Sequence, residues 1–138
     1  PGLSPDIFNL LYYLCNTPAN FSEILPFSAG LKINDIDDPR KVEVLAVIDY
    51  LEGNKAEAYD LLKYTIEDEA VFSSFGGNYI TGIILQDTNP ELAVKYFREA
   101  IQLYPDDVDA HQRLLKCYET IGDSTAAEVE TNVLQILM

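Results

Sequence analysis

The side chains that could carry out chemistry in this sequence are few and far apart. His111 is its one histidine, and Cys15 and Cys117 are its two cysteines. The three residues lack the spacing of metal ligands, and the cysteines do not form a C-x-x-C pair. Each cysteine lies within an apolar helical pattern, which favours buried free thiols, although a single long-range disulfide stays open. We therefore expect no metal site, and we expect His111 to be a partly buried packing residue.

Glycines and acidic clusters are the other features that could bind an ion. Gly76–Asn78 lacks the lysine and hydroxyl with which a P-loop grips phosphate and Mg²⁺. The cluster of Asp35, Asp37 and Asp38 lacks the glycine and distal glutamate of a Ca²⁺ loop. Glu67–Glu69 lies near a predicted helix C-terminus, where negative charge is mildly unfavourable. We interpret both acidic clusters as solvated turns, so the sequence predicts no catalytic residues, no cofactor and no enzyme activity.

The charge of the chain restricts the classes of partner. Its 138 residues include 23 acidic and 9 basic ones, which gives a net charge of −14. Such a field repels phosphate, so nucleic acid and anionic membranes are not expected partners, whereas basic protein segments are favoured. The same charge could also serve only solubility. No apolar run approaches the ~18 residues that span a bilayer, and no basic segment precedes the first apolar patch. These features, with the reduced cysteines, favour a cytoplasmic localisation.

Signals for helix starts and stops recur along the chain. Gly53 and Gly122 follow apolar helical patterns and mark two helix ends. Between such signals the apolar residues recur every three or four positions, and no segment alternates with a period of two for long enough to form a strand. The fold class is therefore predicted to be all-α. Five polar side chains are predicted to cap helix starts: Ser4, Asp38, Asn89, Asp107 and Asp123.

One stretch carries a family resemblance. Asn89–Pro105 reads N-P-E-L-A-V-K-Y-F-R-E-A-I-Q-L-Y-P, which contains the pattern A-x3-F-x2-A-x4-P beginning at Ala93. Small residues recur at a matching interval, with Ala58 standing 35 residues before Ala93 and Ala127 standing 34 residues after it. The pattern and the interval resemble those of the tetratricopeptide repeat (TPR) family. The resemblance implies a right-handed superhelical array of antiparallel helix hairpins and a binding function.

In this register the chain is a single domain, 1–138, with three TPR-like repeats at 39–73, 74–107 and 108–138. A degenerate hairpin is predicted at 4–38, with a first helix over Ser4–Asn16 and a second from Phe21 to Ile33. Pro26 should kink or shorten that second helix. Whether this hairpin is a fourth repeat stays open.

The resemblance also implies where a partner would bind. TPR proteins commonly hold a peptide along the concave surface of their first helices, and an apolar groove with a few polar anchors suits an extended or amphipathic segment. The alternative is that the N-terminal hairpin, or a neighbouring copy of the chain, covers these side chains as ordinary core. The predicted groove residues are Val44, Val47, Tyr50, Phe75, Tyr79, Leu85, Arg113 and Lys116.

A familiar TPR subfamily grips an acidic chaperone tail with a clamp of lysine, asparagine and arginine side chains. The corresponding positions here hold Glu43, Val47, Tyr79, Asp109 and Arg113. Only the arginine fits, and the two acidic residues have the wrong sign. The sequence therefore argues against that partner.

The last predicted helix is apolar on more than one side. Val129, Val133 and Ile136 form one stripe, although a terminal repeat normally has a polar outer face. Self-association through this helix, or a further helix in a longer parent, would cover it. The favoured function is a non-catalytic adaptor or scaffold that binds a peptide or amphipathic helix of a partner protein. The alternatives are a self-associating structural subunit and a secretion-type chaperone for a hydrophobic client.

Overall fold

The structure is a computed structural model that describes residues 4–29 and 37–138. Within these ranges the chain forms eight α-helices and one 3₁₀ helix and no strand, which confirms the all-α prediction. The 3₁₀ helix, Pro18–Glu23, lies between the first two α-helices. The α-helices are α1 (Pro5–Cys15), α2 (Ile24–Ser28), α3 (Lys41–Leu51), α4 (Lys55–Glu67), α5 (Phe75–Leu85), α6 (Pro90–Leu103), α7 (Val108–Ile121) and α8 (Ser124–Leu137).

Most of the predicted helix boundaries are confirmed by the hydrogen bonds at the helix starts. Four of the predicted caps, Ser4, Asn89, Asp107 and Asp123, each accept from the backbone N–H three residues further on. Gly53 and Gly122 have φ angles of +89° and +81°, a region that glycine enters without the strain of a Cβ.

The predicted cap at Asp38 is wrong. α3 begins at Lys41, and its N-cap residue, Arg40, makes no side-chain capping bond. The Asp38 carboxylate instead accepts from the Arg40 side chain, at 3.0 Å from Nε and 2.8 Å from an Nη. The guanidinium forms a bidentate pair with this carboxylate, whose Oδ1 also accepts from the Arg40 backbone N–H at 2.9 Å. Asp38 therefore caps the turn that precedes α3 and not α3 itself.

Consecutive helices pack in pairs across short turns, α3 with α4, α5 with α6 and α7 with α8. These pairs lie within the predicted ranges 39–73, 74–107 and 108–138. Between pairs, α3 packs on α5 and α6 packs on α7. We call the contacts of α3 with α5 the first junction, and the contacts of α7 with α5 and α6 the second junction.

A small residue allows the close approach of α5 and α6. A Cβ added at Gly82 would lie only 2.7 to 2.8 Å from ring atoms of Phe97, so a larger residue would force the helices apart. On the facing side, Ala93, Phe97 and Ala100 are fully buried. The motif that carried the family resemblance thus packs against a glycine in the preceding helix.

The N-terminal segment, residues 4–29, folds against both α3 and α5. Its inward side chains, including Phe8, Leu11 and Ile24, are buried. The continuous helix predicted from Phe21 is not found in the described part of this segment, because Phe21 belongs to the 3₁₀ helix and Pro26 lies in the five-residue α2. The remainder of the predicted helix, 30–33, lies outside the described residues. None of the helices in the described ranges is both long and apolar enough to cross a bilayer.

Candidate functional site

The eight side chains predicted to line a groove divide into two sets. Val44, Val47, Phe75 and Leu85 are between 0% and 7% exposed and belong to the core. Tyr50, Tyr79 and Arg113 are partly buried, and Lys116 is exposed. The apolar members are therefore core residues in this structure, and the accessible members are mostly polar.

The N-terminal segment covers the α3 and α5 half of the predicted groove. The Phe21 ring meets Phe75 and Tyr79 edge-on, with ring centroids 6.4 and 5.9 Å apart. The Asn16 side-chain oxygen accepts from the Phe75 N–H at 2.8 Å, so it satisfies a donor at the start of α5. A Cβ at Gly76 would lie 2.6 Å from the Cys15 carbonyl oxygen, which measures how closely the segment approaches α5.

Beneath this cover, a buried carboxylate fixes the linker at residues 68–74. Glu43, on α3, is 6% exposed. Its carboxylate accepts from the Ser73 hydroxyl at 2.6 Å and from the Ser74 N–H and hydroxyl at 2.8 and 2.6 Å. Since the Ser73 hydroxyl donates to Glu43, the Tyr12 hydroxyl, 2.7 Å away, donates to Ser73. One carboxylate thus joins α1, α3 and the linker through donors alone.

Asn78 fixes the same linker from the side of α5. Its side-chain oxygen accepts from the Phe72 N–H at 2.9 Å, and its amide donates to the Phe72 and Ser74 carbonyls, each at 3.0 Å. Asn78 is fully buried, and no buried side-chain nitrogen or oxygen among the described residues lacks a hydrogen-bond partner. Such satisfied polar networks specify a unique packing.

On its α5 side, the second junction is joined by exposed and partly exposed groups. Tyr79, on α5, donates a hydrogen bond to the Asp109 carboxylate on α7. The same carboxylate accepts from Arg113 Nε at 2.9 Å, and the guanidinium carbon lies 5.7 Å from the centroid of the Tyr79 ring. Arg113 also donates to the Gln86 side-chain oxygen at 3.4 Å. Arg113 is therefore engaged within the protein instead of standing free as an anchor.

Burial, and then the hydrogen bond to Asp109, raises the pKa of the Tyr79 hydroxyl above its usual range. The hydroxyl therefore stays protonated at neutral pH and serves as a donor. It fixes the Asp109 carboxylate beside Arg113 and cannot act as a base there.

A cleft of about 110 Å³ opens next to this group, where the C-terminal end of α5 meets α7. Lys116 is exposed at its edge, and its ammonium group forms no hydrogen bond or ion pair within the described chain. Burial raises the pKa of the Cys117 thiol, with a further contribution from Asp87, so this sulfur is a weak nucleophile. The cleft is lined by Gln86, Asp87, Lys116, Cys117 and Thr120.

His111 lies on the other side of α7 and is 4% exposed. Its Nε2 is 2.6 Å from the Pro105 carbonyl oxygen, and its Nδ1 is 2.7 Å from a carboxylate oxygen of Glu130 on α8. A carbonyl only accepts, so Nε2 carries a proton. With both nitrogens engaged, the ring joins the α6–α7 turn to α8, as a packing residue rather than a base.

Within the described ranges, no group of three or more histidine, cysteine, aspartate or glutamate side chains could hold a metal ion. Cys15 and Cys117 are free and buried, as the helical patterns predicted.

Sequence reasoning considered Glu43 as the equivalent of a clamp residue and missed the role of Glu43 and Asn78 in fixing the linker. The local signal was Ser74, whose hydroxyl accepts from the Gly77 N–H at 2.9 Å and caps α5. A serine before Phe-Gly-Gly-Asn is a helix-start pattern. The Glu43 partner of that serine, 31 positions away in sequence, has no local signature.

No family model matches this chain, and no curated protein or solved structure is significantly similar to it.

Proposed function

We propose that this chain is a TPR-like helical-repeat module that binds a segment of a partner protein on the surface formed by α5 and α7. The repeat spacing and the small residues at the helix crossings support the TPR-like superhelix. Ala58 and Ala93 are fully buried, and Gly82 lies against Phe97. Helices that approach each other through small residues at a fixed interval are what a stacked array requires.

The observation that carries the binding proposal is the unpaired Lys116 ammonium beside the cleft between α5 and α7. In a chain of net charge −14, this ammonium group offers a positive charge beside partly exposed Gln86 at the cleft. The half of the groove nearer α3 is occupied by Phe21 and Asn16, so the accessible binding groups lie toward α7.

The chemistry of this surface suits a peptide or amphipathic helix that presents a carboxylate or a backbone carbonyl to Lys116. The ammonium group offers three donors, and Gln86 offers an amide that is only partly used by Arg113. The Tyr79 ring already stacks on Phe75, with ring centroids 5.2 Å apart, and meets Phe21 edge-on. Polar contacts with α7 should therefore contribute more to recognition than apolar ones.

The test is affinity capture with the full chain, identification of the bound segment, and titration of the corresponding synthetic peptide. Lys116→Glu should weaken peptide binding about tenfold or more, because it places a like charge against the carboxylate. Lys55→Glu is the matched control, since Lys55 is exposed at the start of α4 and also forms no ion pair within the described residues.

Equal binding of the peptide by wild type, Lys116→Glu and Lys55→Glu would reject this surface. If no captured segment binds the chain again as a purified peptide, the adaptor function itself is rejected. Far-ultraviolet circular dichroism should be unchanged in both variants because neither lysine is buried.

A further inference from the structure

A histidine on α7 and a glutamate on α8 form a buried pair that links the last two helices. His111 is 4% exposed, and the side chain of Glu130 is 12% exposed. Within the described ranges, no other side-chain hydrogen bond or ion pair joins α8 to a preceding helix. Leu134 is the one buried residue of α8, so the attachment of this helix depends strongly on the pair.

The two contacts of the His111 ring fix the number of protons that the pair holds. Nε2 lies 2.6 Å from the Pro105 carbonyl oxygen, which can only accept, so Nε2 carries a proton. Nδ1 lies 2.7 Å from a Glu130 carboxylate oxygen, and this contact also needs a proton between its two atoms. A neutral imidazole has a single N–H, and an ionised carboxylate has none. The observed geometry therefore holds one proton more than a neutral histidine and an ionised glutamate supply together.

The charged and titratable groups around the pair favour placing both protons on the ring. Asp107, at the start of α7, interacts electrostatically with His111, and its negative charge favours the imidazolium. Arg98, on α6, lines the same groove of about 420 Å³ as Glu130, and its positive charge favours the carboxylate. Burial raises the pKa of the hydroxyl of Tyr118, which interacts with both Arg98 and Glu130, so this hydroxyl stays neutral. The pair is thus an imidazolium and a carboxylate.

We propose that the extra proton of the His111–Glu130 pair controls how firmly α8 is held to the rest of the array. When this proton leaves for solvent, the neutral ring keeps one N–H. Either the Pro105 carbonyl or the Glu130 carboxylate then faces a nitrogen lone pair, and a hydrogen bond is replaced by a repulsive contact in a buried site. The stabilising contribution is therefore present at low pH and is lost as the pH rises through the titration of the pair.

Hydrogen–deuterium exchange of the full chain at pH 5 and pH 9 tests the proposal, because these values bracket the range in which histidine ordinarily changes charge. After correction for intrinsic exchange rates, protection of the α8 amides should fall about tenfold or more at pH 9. Amides of α3, which lies away from the pair, should keep their protection. Because His111 is the one histidine in the sequence, ¹⁵N NMR of its ring should show two protonated nitrogens at pH 5 and one at pH 9.

Glu130→Gln separates the extra proton from the contact itself. The glutamine amide can donate to Nδ1 of a neutral ring, and its oxygen can accept from a charged ring, so the contact is satisfied in both states. Protection of α8 in this variant should be the same at pH 5 and pH 9. Glu128→Gln is the matched control, because it removes the same charge from an exposed position of α8 that forms no ion pair within the described residues. This control should keep the pH dependence of the wild type.

Equal protection of α8 at pH 5 and pH 9 in the wild type would overturn the proposal, whether or not Glu130→Gln folds. A folded Glu130→Gln that keeps the pH dependence would also overturn it, as would a Glu128→Gln that loses it. The binding proposal for α5 and α7 is independent of these outcomes, because Lys116 lies on the other side of α7.

Discussion

The two junctions of this helical array are built in different ways. At the first, Glu43 and Asn78 are almost fully buried and hold the linker between α4 and α5 through hydrogen bonds of 2.6 to 3.0 Å. At the second, α5 and α7 are linked by Tyr79, Asp109 and Arg113 at the surface, beside an open cleft. Buried and satisfied groups fix a geometry, whereas exposed ion pairs contribute little to stability.

The first junction is thus a fixed part of the structure, whereas the second is a surface whose groups can exchange partners. The N-terminal segment also covers the α5 side of the first junction. A cavity of about 360 Å³ opens beside Glu43 and Ser73, but the Glu43 carboxylate is already bound by three donors within the protein. The groups of the second junction can exchange an internal hydrogen bond for one to a partner, because water already reaches them. We therefore expect stability to depend mainly on the first junction and binding to depend mainly on the second.

The largest effect should come from removing the buried carboxylate. Glu43→Ala should lower the free energy of unfolding by about 3 kcal/mol, because it leaves the buried Ser74 N–H and hydroxyl without their acceptor and also removes the acceptor of the Ser73 hydroxyl. Asp109→Ala at the second junction should cost under about 1 kcal/mol, since its pair with Arg113 is largely exposed. Urea denaturation followed by circular dichroism gives both values. Equal losses would remove the distinction between the junctions.

An intermediate effect should follow from weakening the N-terminal cover. Phe21→Ala should cost about 2 kcal/mol, because the ring is only partly buried but contacts both Phe75 and Tyr79. Tyr13→Ala is the control in the same segment, since Tyr13 is 57% exposed, and it should change stability by less than about 0.5 kcal/mol. Thermal unfolding of both variants measures the difference. If both substitutions cost the same, the ring contacts do not hold the cover in place.

The smallest effect concerns Asp107, which caps α7 at the second junction. Burial raises the pKa of its carboxyl, and the bond from the Ala110 N–H only partly opposes this shift. The charged form of Asp107 is thus disfavoured in the folded state. Protonation of Asp107 therefore contributes stability at low pH, and this contribution is lost as the pH rises through the folded-state pKa. Asp107→Asn keeps a capping oxygen and should stabilise the protein by under about 0.5 kcal/mol at pH 7, after screening by solvent.

Denaturation at pH 3 and pH 7 checks the sign of this effect. The advantage of Asp107→Asn over wild type should shrink as the pH falls, because Asp107 is then neutral in both states. A gain that grows toward low pH would contradict the assigned direction.

Local patterns predicted the helices well and the covered groove poorly. Asn89, Asp107 and Gly122 act within their own helix ends, so their neighbours in sequence suffice to identify them. Burial of Val44 and Val47 instead depends on the return of the N-terminal segment across α3 and α5, which no local period encodes. At Asp38 the local signal marked a start two residues too early, because this carboxylate binds both the backbone N–H and the side chain of Arg40 ahead of α3.

The candidate site was predictable in part. The sequence register placed Tyr79, Arg113 and Lys116 on the first helices of neighbouring pairs, and the structure brings their side chains to the same side of α5 and α7. The sequence could not indicate that Asp109 would engage both Tyr79 and Arg113, because that prediction requires the distance between α5 and α7. This leaves Lys116 as the free cation of the surface.

Hydrogen–deuterium exchange of the full chain tests the contrast between the two junctions most directly. Amide groups at the start of α5, from Phe75 to Asn78, and those of α3 should exchange slowest, because buried polar groups and the N-terminal segment hold them. Amides of α7, which borders the Lys116 cleft, and those of α8, in which Leu134 is the one buried residue, should exchange faster by local opening. Equal protection of α3, α5, α7 and α8, or faster exchange at α5 than at α7, would contradict the account.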